Sequence, residues 1–450
     1  MRTFGCQMNS YDSQLAAGIL EHEGFEVIAE SEDTEGCVDA MGNPMFSRGA
    51  DIVLMNTCSV RDHAEERVWG RLGMLGKEKK ENPDLIIGLM GCMVEEHREK
   101  LFKRFPQLDL MIGTRNIKEL PKLLRQVQAT RKQVAQIKQD GISIEYSDHT
   151  KHDTNGHAWL PIMTGCDKVC TFCIVPRTRG SEVSMPAREV VREASRLVGS
   201  GVKWITLLGQ NVNSYNGARD AGAGTGSFPE LLEMLCGIGG LKRLSFMTSH
   251  PQDATEELFQ VIARNPTISR RFHLPLQSGS DSVLRRMKRL HTYEEYKEKI
   301  DRIRELVPDI AITTDIITGF SSETAEDHLA TLRALQEIRF DGAFIYKYSV
   351  RPGTPAVRLP DDVPPAVKAE RHRDLLTLHR KILSEKNLEF LGRTFTAFVE
   401  SARDENPSEQ VGRTDQDRRV AFESAEDRRG QFVRLEVTGI RHETFRGKLV

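Results

Sequence analysis

The apolar positions divide the chain into three parts separated by one polar stretch. From residue 1 to about 130, short apolar runs (Ala50 to Met55, Leu85 to Met90, Leu108 to Ile112) alternate with segments of helical period (Tyr11 to Glu23, Ala64 to Lys80, Val94 to Phe105, Ile117 to Val127). Continuous apolar runs between amphipathic helices predict a parallel sheet covered on both faces, of flavodoxin-like type. Residues 131–151 are polar and without period, and read as a linker. Residues 152–386 repeat the strand and helix alternation, with apolar runs at Trp159 to Met163, Trp204 to Leu208, Leu244 to Met247, Phe272 to Leu276, Ile310 to Ile317 and Ala343 to Tyr348. Six units are too few to close an eight-stranded barrel and predict a partial (β/α)6 barrel. From residue 387 to 450 short alternating strands begin near Phe395, Gln410, Arg419, Gln431 and Arg446, which predicts a small OB-like β-barrel. The expected fold class is therefore α/β in the first two parts and all-β in the third.

Composition narrows the function. With 39% hydrophobic residues in 450 positions there is material for several cores, yet no stretch approaches the roughly 20 apolar residues of a membrane span. The opening M-R-T-F-G-C-Q-M-N is neither a signal nor a transit peptide, so a cytoplasmic location without membrane attachment is expected. A formal net charge of -2 gives no global attraction to nucleic acid; any RNA surface must be local. Eight cysteines are too few for a disulfide scaffold in a chain this long, which points them toward metal or catalytic work.

Three of those cysteines, Cys166, Cys170 and Cys173, fall at C-x3-C-x2-C spacing in T-G-C-D-K-V-C-T-F-C-I-V-P-R-T-R-G, residues 164–180. A [4Fe-4S] cubane takes one thiolate per iron, so three cysteines leave one iron open. In this spacing an open iron suits the amino and carboxylate groups of S-adenosylmethionine, whose one-electron cleavage gives a 5'-deoxyadenosyl radical. Zinc usually draws paired C-x2-C or His partners, and no second C-x2-C pair lies nearby. The loop resembles that of the radical S-adenosylmethionine superfamily. Cys6, Cys58 and Cys92 each follow the end of an expected strand. Parallel strands bring their carboxyl ends to one edge, so these three predict a second three-thiolate cluster site, although a free cysteine alone is often just a small buried apolar residue. Cys37 and Cys236 read as structural, the latter buried on an apolar helix face.

Polar or Gly-rich residues end each expected barrel strand, where the active sites of such barrels lie. Gln210, Asn211, Ser249, Gln277 and Ser278 are accordingly candidate cosubstrate contacts, with the backbone around Phe172 facing its adenine; each also suits an ordinary turn. The Gly-rich segment Ala218 to Ser227 lacks a phosphate-loop pattern and reads as a loop. The basic run Arg285 to His291 reads as a solvated helix face, with RNA phosphate contact as the alternative.

Taken together, G-C-Q-M-N at Gly5, N-T-C-S-V-R at Asn56, G-Q-N-V-N at Gly209, T-S-H-P at Thr248 and R-P-G-T-P-A at Arg351 resemble the methylthiotransferase family across nearly the whole chain. The resemblance implies an N-terminal cluster domain, a radical core and a C-terminal TRAM domain, carrying two [4Fe-4S] clusters and S-adenosylmethionine. It further implies a monomer that acts on the tRNA anticodon stem-loop and is served by a flavodoxin- or ferredoxin-type reductant protein. The implied reaction places a methylthio group on C2 of N6-isopentenyladenosine at position 37, one S-adenosylmethionine giving the methyl group and a second the radical. Members acting on threonylcarbamoyladenosine or on a ribosomal-protein aspartate are alternatives, and their motifs differ at Gln7-Met8 and Gln210 to Asn213. A non-catalytic iron-sulfur protein is the other class, disfavoured because an electron carrier usually has four protein ligands per cluster. Two departures stand out. G-F-S-S-E-T at Gly319 replaces the usual G-F-P-G-E-T and is expected to loosen a turn beside the cosubstrate. The few residues before Cys6 imply a misplaced start or a shortened edge strand that weakens this ligand.

Overall fold

The computed structural model describes residues 1–28, 46–47, 49–59, 62–137, 146, 149–151, 155–217, 226–403, 406 and 408–450. The chain forms two compact units: Met1–His152 with Met163–Asp167 and Ile174–Val183, and Asp153–Ile162 with Lys168–Cys173 and Ser184–Val450.

In the first unit, strands β1 (Arg2–Phe4), β2 (Ile52–Thr57), β3 (Ile86–Gly91), β4 (Leu110–Ile112) and β5 (Val134–Gln136) make one parallel sheet in sequence order. All six residues of β3 are buried, which is why its sequence, I-I-G-L-M-G, shows no alternation. Phe4, Met55 and Leu89 pack with Leu72 and Met93 from the helices Asp62–Glu81 and Cys92–His97. Short as it is, β1 pairs with β2 from Arg2 to Phe4 and so delivers Cys6 to the sheet edge. Two expectations need correction. The stretch taken as a linker contains β5, whose Val134 N–H bonds Asp109 O at 2.8 Å; three residues with one buried side chain carry no periodic signal. The helix expected over Val94 to Phe105 is two, Cys92–His97 and Lys100–Arg104, because Arg98 between them has φ 47°.

Strands β6 (His157–Pro161), β7 (Met163–Thr164), β8 (Val183–Ser184), β9 (Trp204–Leu208), β10 (Arg243–Phe246), β11 (Arg271–His273), β12 (Ala311–Thr318) and β13 (Gly342–Lys347) follow. Two parallel sheets, β10-β9-β6 and β11-β12-β13, are joined where Leu244 exchanges backbone bonds of 2.8 Å with Thr267 and Ser269, just before β11. The six strands of the partial barrel are each followed by a helix. Thr255, Ser280, Thr292 and Thr324 cap four of these helices by accepting an N–H bond. Among the described residues no helix is long and apolar enough to cross a membrane.

Strands β14 (Thr394–Ala402), β15 (Glu409–Thr414), β16 (Arg419–Glu423), β17 (Phe432–Arg441) and β18 (Thr444–Leu449) close into a barrel of order β14-β15-β16-β18-β17. Val399, Val420, Phe422, Leu435, Val437 and Phe445 fill it. This barrel belongs to the second unit and is fastened to the strands before it by Arg243. The buried guanidinium lies 5.1 Å from the Trp204 ring and 5.0 Å from that of Phe432, donates to Arg413 O at 3.0 Å and pairs with Asp415 at 2.5 Å.

Candidate functional site

Cys6, Cys58 and Cys92 meet at the carboxyl edge of the first sheet. Cys6 is the N-cap of the helix Gln7–His22, Cys58 follows β2, and Cys92 opens the helix after β3. The glycine before two of them is required by space. A Cβ on Gly5 would stand 2.4 Å from Asn9 Oδ1, and one on Gly91, at φ 99°, would stand 2.5 Å from Thr57 O. A buried amide pair sets the spacing: Asn9 Nδ2 donates to Asn56 Oδ1 at 3.0 Å, and Asn56 Nδ2 donates to Asn9 O at 2.8 Å. Thr57 Oγ1 in turn donates to Met90 O at 3.1 Å, tying the ends of β2 and β3.

A cation faces these thiols that sequence reasoning missed. Arg179 is buried, pairs with buried Asp12 at 2.7 Å, and hydrogen-bonds the Cys92 side chain. Its segment is held by Arg115, which donates to Arg179 O at 2.7 Å, and by an Arg177–Glu96 pair at 3.1 Å. Burial opposes the guanidinium charge, but Asp12 and the thiols of Cys92 and Cys6 keep its pKa well above the ordinary range. The hydrogen bond from Cys58 outweighs burial and, with Arg179 and the N–H groups of Asn9 and Met8, brings the Cys6 thiol from 9.0 down to about 6. Burial pushes Cys92 up, against Arg179. Among the described residues no three His, Cys, Asp or Glu side chains close on a single ion. Three soft thiol donors around a fixed positive charge fit a thiolate-bound cluster, whose net negative charge the arginine offsets.

On the other cysteine loop, Cys166 is buried, with its N–H on Gly180 O at 3.1 Å, and Cys173 is half-buried. Buried Cys170 accepts from Arg289 Nη1 at 3.4 Å and lies 4.0 Å from His250 Nε2. Thr171 N–H bonds Met287 O at 3.0 Å and its hydroxyl donates to Arg286 O at 2.9 Å, so the basic run anchors this loop. The expectation of a solvated face therefore holds for exposed Arg285 and Lys288 and fails for Arg289, whose other bond is to Pro275 O at 2.7 Å.

The cosubstrate candidates divide. Asn211 Oδ1, Ser249 Oγ and Gln277 Oε1 are buried and have no hydrogen-bond partner in the protein, which is what a polar ligand in contact with them would satisfy. Asn211 is held by Asp253, which accepts from its Nδ2 at 2.8 Å and pairs with Lys168 at 2.8 Å. Thr248, at φ 64°, and Gln277, at φ 75°, occupy left-handed conformations at the strand ends, a strain that concentrates at binding sites. Ser278 is spent internally, 3.3 Å from Thr331 Oγ1. Gln210 is half-buried, and Phe172 packs edge-on to Phe320 at 6.5 Å. These residues fit S-adenosylmethionine through the three unmet polar atoms.

The G-F-S-S-E-T turn is pinned, not loosened. Ser321 donates to Pro360 O at 2.6 Å, and Ser322 bonds Asp362 through N–H at 2.7 Å and Oγ at 2.8 Å. Cys236, expected buried, is half-buried at the end of the helix Phe228–Cys236. Cys37 and residues 218–225 of the Gly-rich segment lie outside the described residues.

Comparison with known proteins supplies the family. The profile of the Radical SAM superfamily matches residues 160–335, and that of Uncharacterized protein family UPF0004 matches residues 1–113. A tRNA-2-methylthio-N(6)-dimethylallyladenosine synthase of Dictyoglomus thermophilum is 41% identical over 450 residues, covering 100% of this chain and 97% of the relative. One of the same name from Pelotomaculum thermopropionicum is 42% identical over 442 residues, 97% of this chain and 94% of the relative. In fold, the chain is similar to the radical S-adenosylmethionine methyltransferase TsrM of Kitasatospora setae, with TM-score 0.52 at 16% identity over 77% of this chain and 72% of that one. Identity sustained over the full length of both partners, on a chain with these two cysteine sets, shows that it belongs to the tRNA-2-methylthio-N(6)-dimethylallyladenosine synthase family of the radical S-adenosylmethionine superfamily.

Proposed function

We propose that the protein places a methylthio group on C2 of N6-isopentenyladenosine at position 37 of tRNA, taking the methyl group from one S-adenosylmethionine and the radical from a second. The names of its full-length relatives give the RNA and the product. The single observation that carries the reading for this chain is the meeting of Cys6, Cys58 and Cys92 from three strand ends, in addition to the Cys166, Cys170, Cys173 loop. Radical S-adenosylmethionine membership implies one [4Fe-4S] cluster, which we assign to that loop; the strand-end cysteines would hold a second. When bound, these groups supply the electron, the radical, the methyl group and the sulfur. The chain's own residues position them: Arg179 offsets thiolate charge, Arg289 donates to Cys170, and Asn211, Ser249 and Gln277 offer buried polar atoms to the cosubstrate. The enzyme would act in the cytoplasm as a monomer, reduced by a flavodoxin- or ferredoxin-type protein.

Two variants test the division of labour. Protein reconstituted without oxygen should carry about eight irons, the sum of two cubanes. Cys170→Ala should lose both cosubstrate cleavage and methylthiolation. Cys58→Ala should keep cleavage to 5'-deoxyadenosine while losing the methylthio product, with iron content and melting temperature measured on both. A folded Cys58→Ala protein that still methylthiolates tRNA overturns the assignment of Cys6, Cys58 and Cys92.

A further inference from the structure

We propose that the face of β12 and β13 carrying Phe344 and Tyr346 is the platform for the target base, the two rings stacking on a flat purine that bears an apolar N6 substituent. The proposal rests on the function argued above and adds the residues that recognise its substrate. Along β13 exposure alternates: Phe344 is 47% and Tyr346 36% exposed, while Ile345 between them is 8% exposed. The parallel register sets Phe344 beside Asp315 and Tyr346 beside Ile317, so these four side chains share one face of the sheet. His273, in register with Thr313 on β12, shares it too.

The opposite face is the packed one. Ile312, Ile316 and Ile345 are buried there. On the helix Pro365–Leu388, His379 Nε2 accepts the Ala343 N–H at 3.0 Å and His372 Nε2 lies 3.0 Å from Ile345 O. These two bonds are made by Ala343 and Ile345, which alternate along the strand with Phe344 and Tyr346. Scattered exposed apolar side chains are normal on any protein. Here two aromatic rings stand at i and i+2 on one face, beside half-buried Ile317.

Two observations decide what lies on it. First, the face adjoins the cosubstrate candidates: Gln277 donates its N–H to Asp315 O at 2.9 Å and accepts from Ile317 N–H at 2.9 Å. Gln277 also carries one of the unmet buried oxygens. Gln277 thus pairs with Ile316, between the Asp315 and Ile317 that stand beside the two rings, so an occupant reaching the carboxyl end of the face would lie one strand spacing from a cosubstrate held at Gln277. Second, proteins bind unpaired RNA bases by stacking them on aromatic side chains and reading their edges with polar groups. Such groups stand alongside: His273 packs edge-on to Phe344 at 6.2 Å, with its Nδ1 2.9 Å from Thr313 Oγ1 and its Nε2 3.5 Å from Asp315 Oδ2. Asp315 is a carboxylate on this face, and Arg271, which shares it through its register with Ala311, is paired with Asp417. An alkyl N6 substituent extends the apolar surface of the stack beside Phe344 and Tyr346.

The test uses the full chain, reconstituted without oxygen, and a labelled anticodon stem-loop RNA with either N6-isopentenyladenosine or adenosine at position 37. Phe344→Ala and Tyr346→Ala should each raise Kd for the isopentenylated RNA about tenfold, within the range seen for loss of one base-stacking ring. The Kd for the unmodified RNA should rise less, so the preference between the two collapses. Phe344→Trp should restore it, and melting temperatures taken on every variant separate a loss of stacking from a loss of fold. Wild-type Kd and preference in both alanine variants overturn the platform alone. A wild-type protein with no preference and no methylthio product overturns the functional reading beneath it.

Discussion

Ser322 shows how one residue's backbone can be costly and still be retained. Its φ is 54°, in the left-handed region that disfavours residues with a Cβ by about 1 kcal/mol, and it stands where the family motif has glycine. The bonds to Asp362 offset that strain. Ser322→Ala keeps the strain and loses the hydroxyl bond, so it should destabilise by about 1 kcal/mol, whereas Ser322→Gly exchanges one effect for the other and should be near neutral. Urea midpoints of the two variants check the order. The motif spelled the turn but not its restraint, because Asp362 is distant in sequence. The same gap hid Arg179 and Arg289. A charged residue counts as polar in any pattern, and only the fold reveals that one guanidinium is buried against Asp12 and Cys92, the other against Cys170. Cysteines were legible because their spacing and their place after strands are both sequence properties.

Elements were legible where burial was complete on both faces. β9 falls on the expected residues 204–208, since a run buried at every position has no competing reading. Three-residue β5 and the broken helix after β3 were not legible, because each depends on local backbone geometry and partners far along the chain. Contacts between elements were hidden as well. Arg243 lies on β10 next to Lys242, and nothing in L-K-R-L-S-F says that one of the two cations enters a slot between Trp204 and Phe432. Arg243→Ala empties that slot and removes the partner of Asp415, which is itself half-exposed and so can rehydrate. The loss should be about 2–4 kcal/mol, less than for a pair buried on both sides. Arg243→Met, which keeps the stem, should recover part of it. Thermal melting followed by tryptophan fluorescence reads both.

For the whole molecule, stability should fall with acid. Burial lowers His157 from 6.5 to about 3, helped by Arg413 and Arg243, and lowers His379 to about 4. Both are neutral in the fold. Above pH 6.5 neither state binds these protons and stability is full. As pH drops below 6.5 the unfolded chain takes them up and the folded chain does not, so each histidine removes up to about 1.4 kcal/mol per pH unit until its folded pKa is reached. His157→Gln with His379→Gln should flatten the slope of urea midpoint against pH between 6.5 and 4; an unchanged slope contradicts the assignment. The interleaving of the two units has a consequence for how the protein is made. The first unit takes its last segment from Ile174–Val183, so a ribosome that has released the first 151 residues has released Asp12 without Arg179. At about 5–20 residues per second the gap lasts on the order of seconds. During it Cys6, Cys58 and Cys92 exist without their cation, and Arg179 emerges only after Cys166, Cys170 and Cys173 have been synthesised.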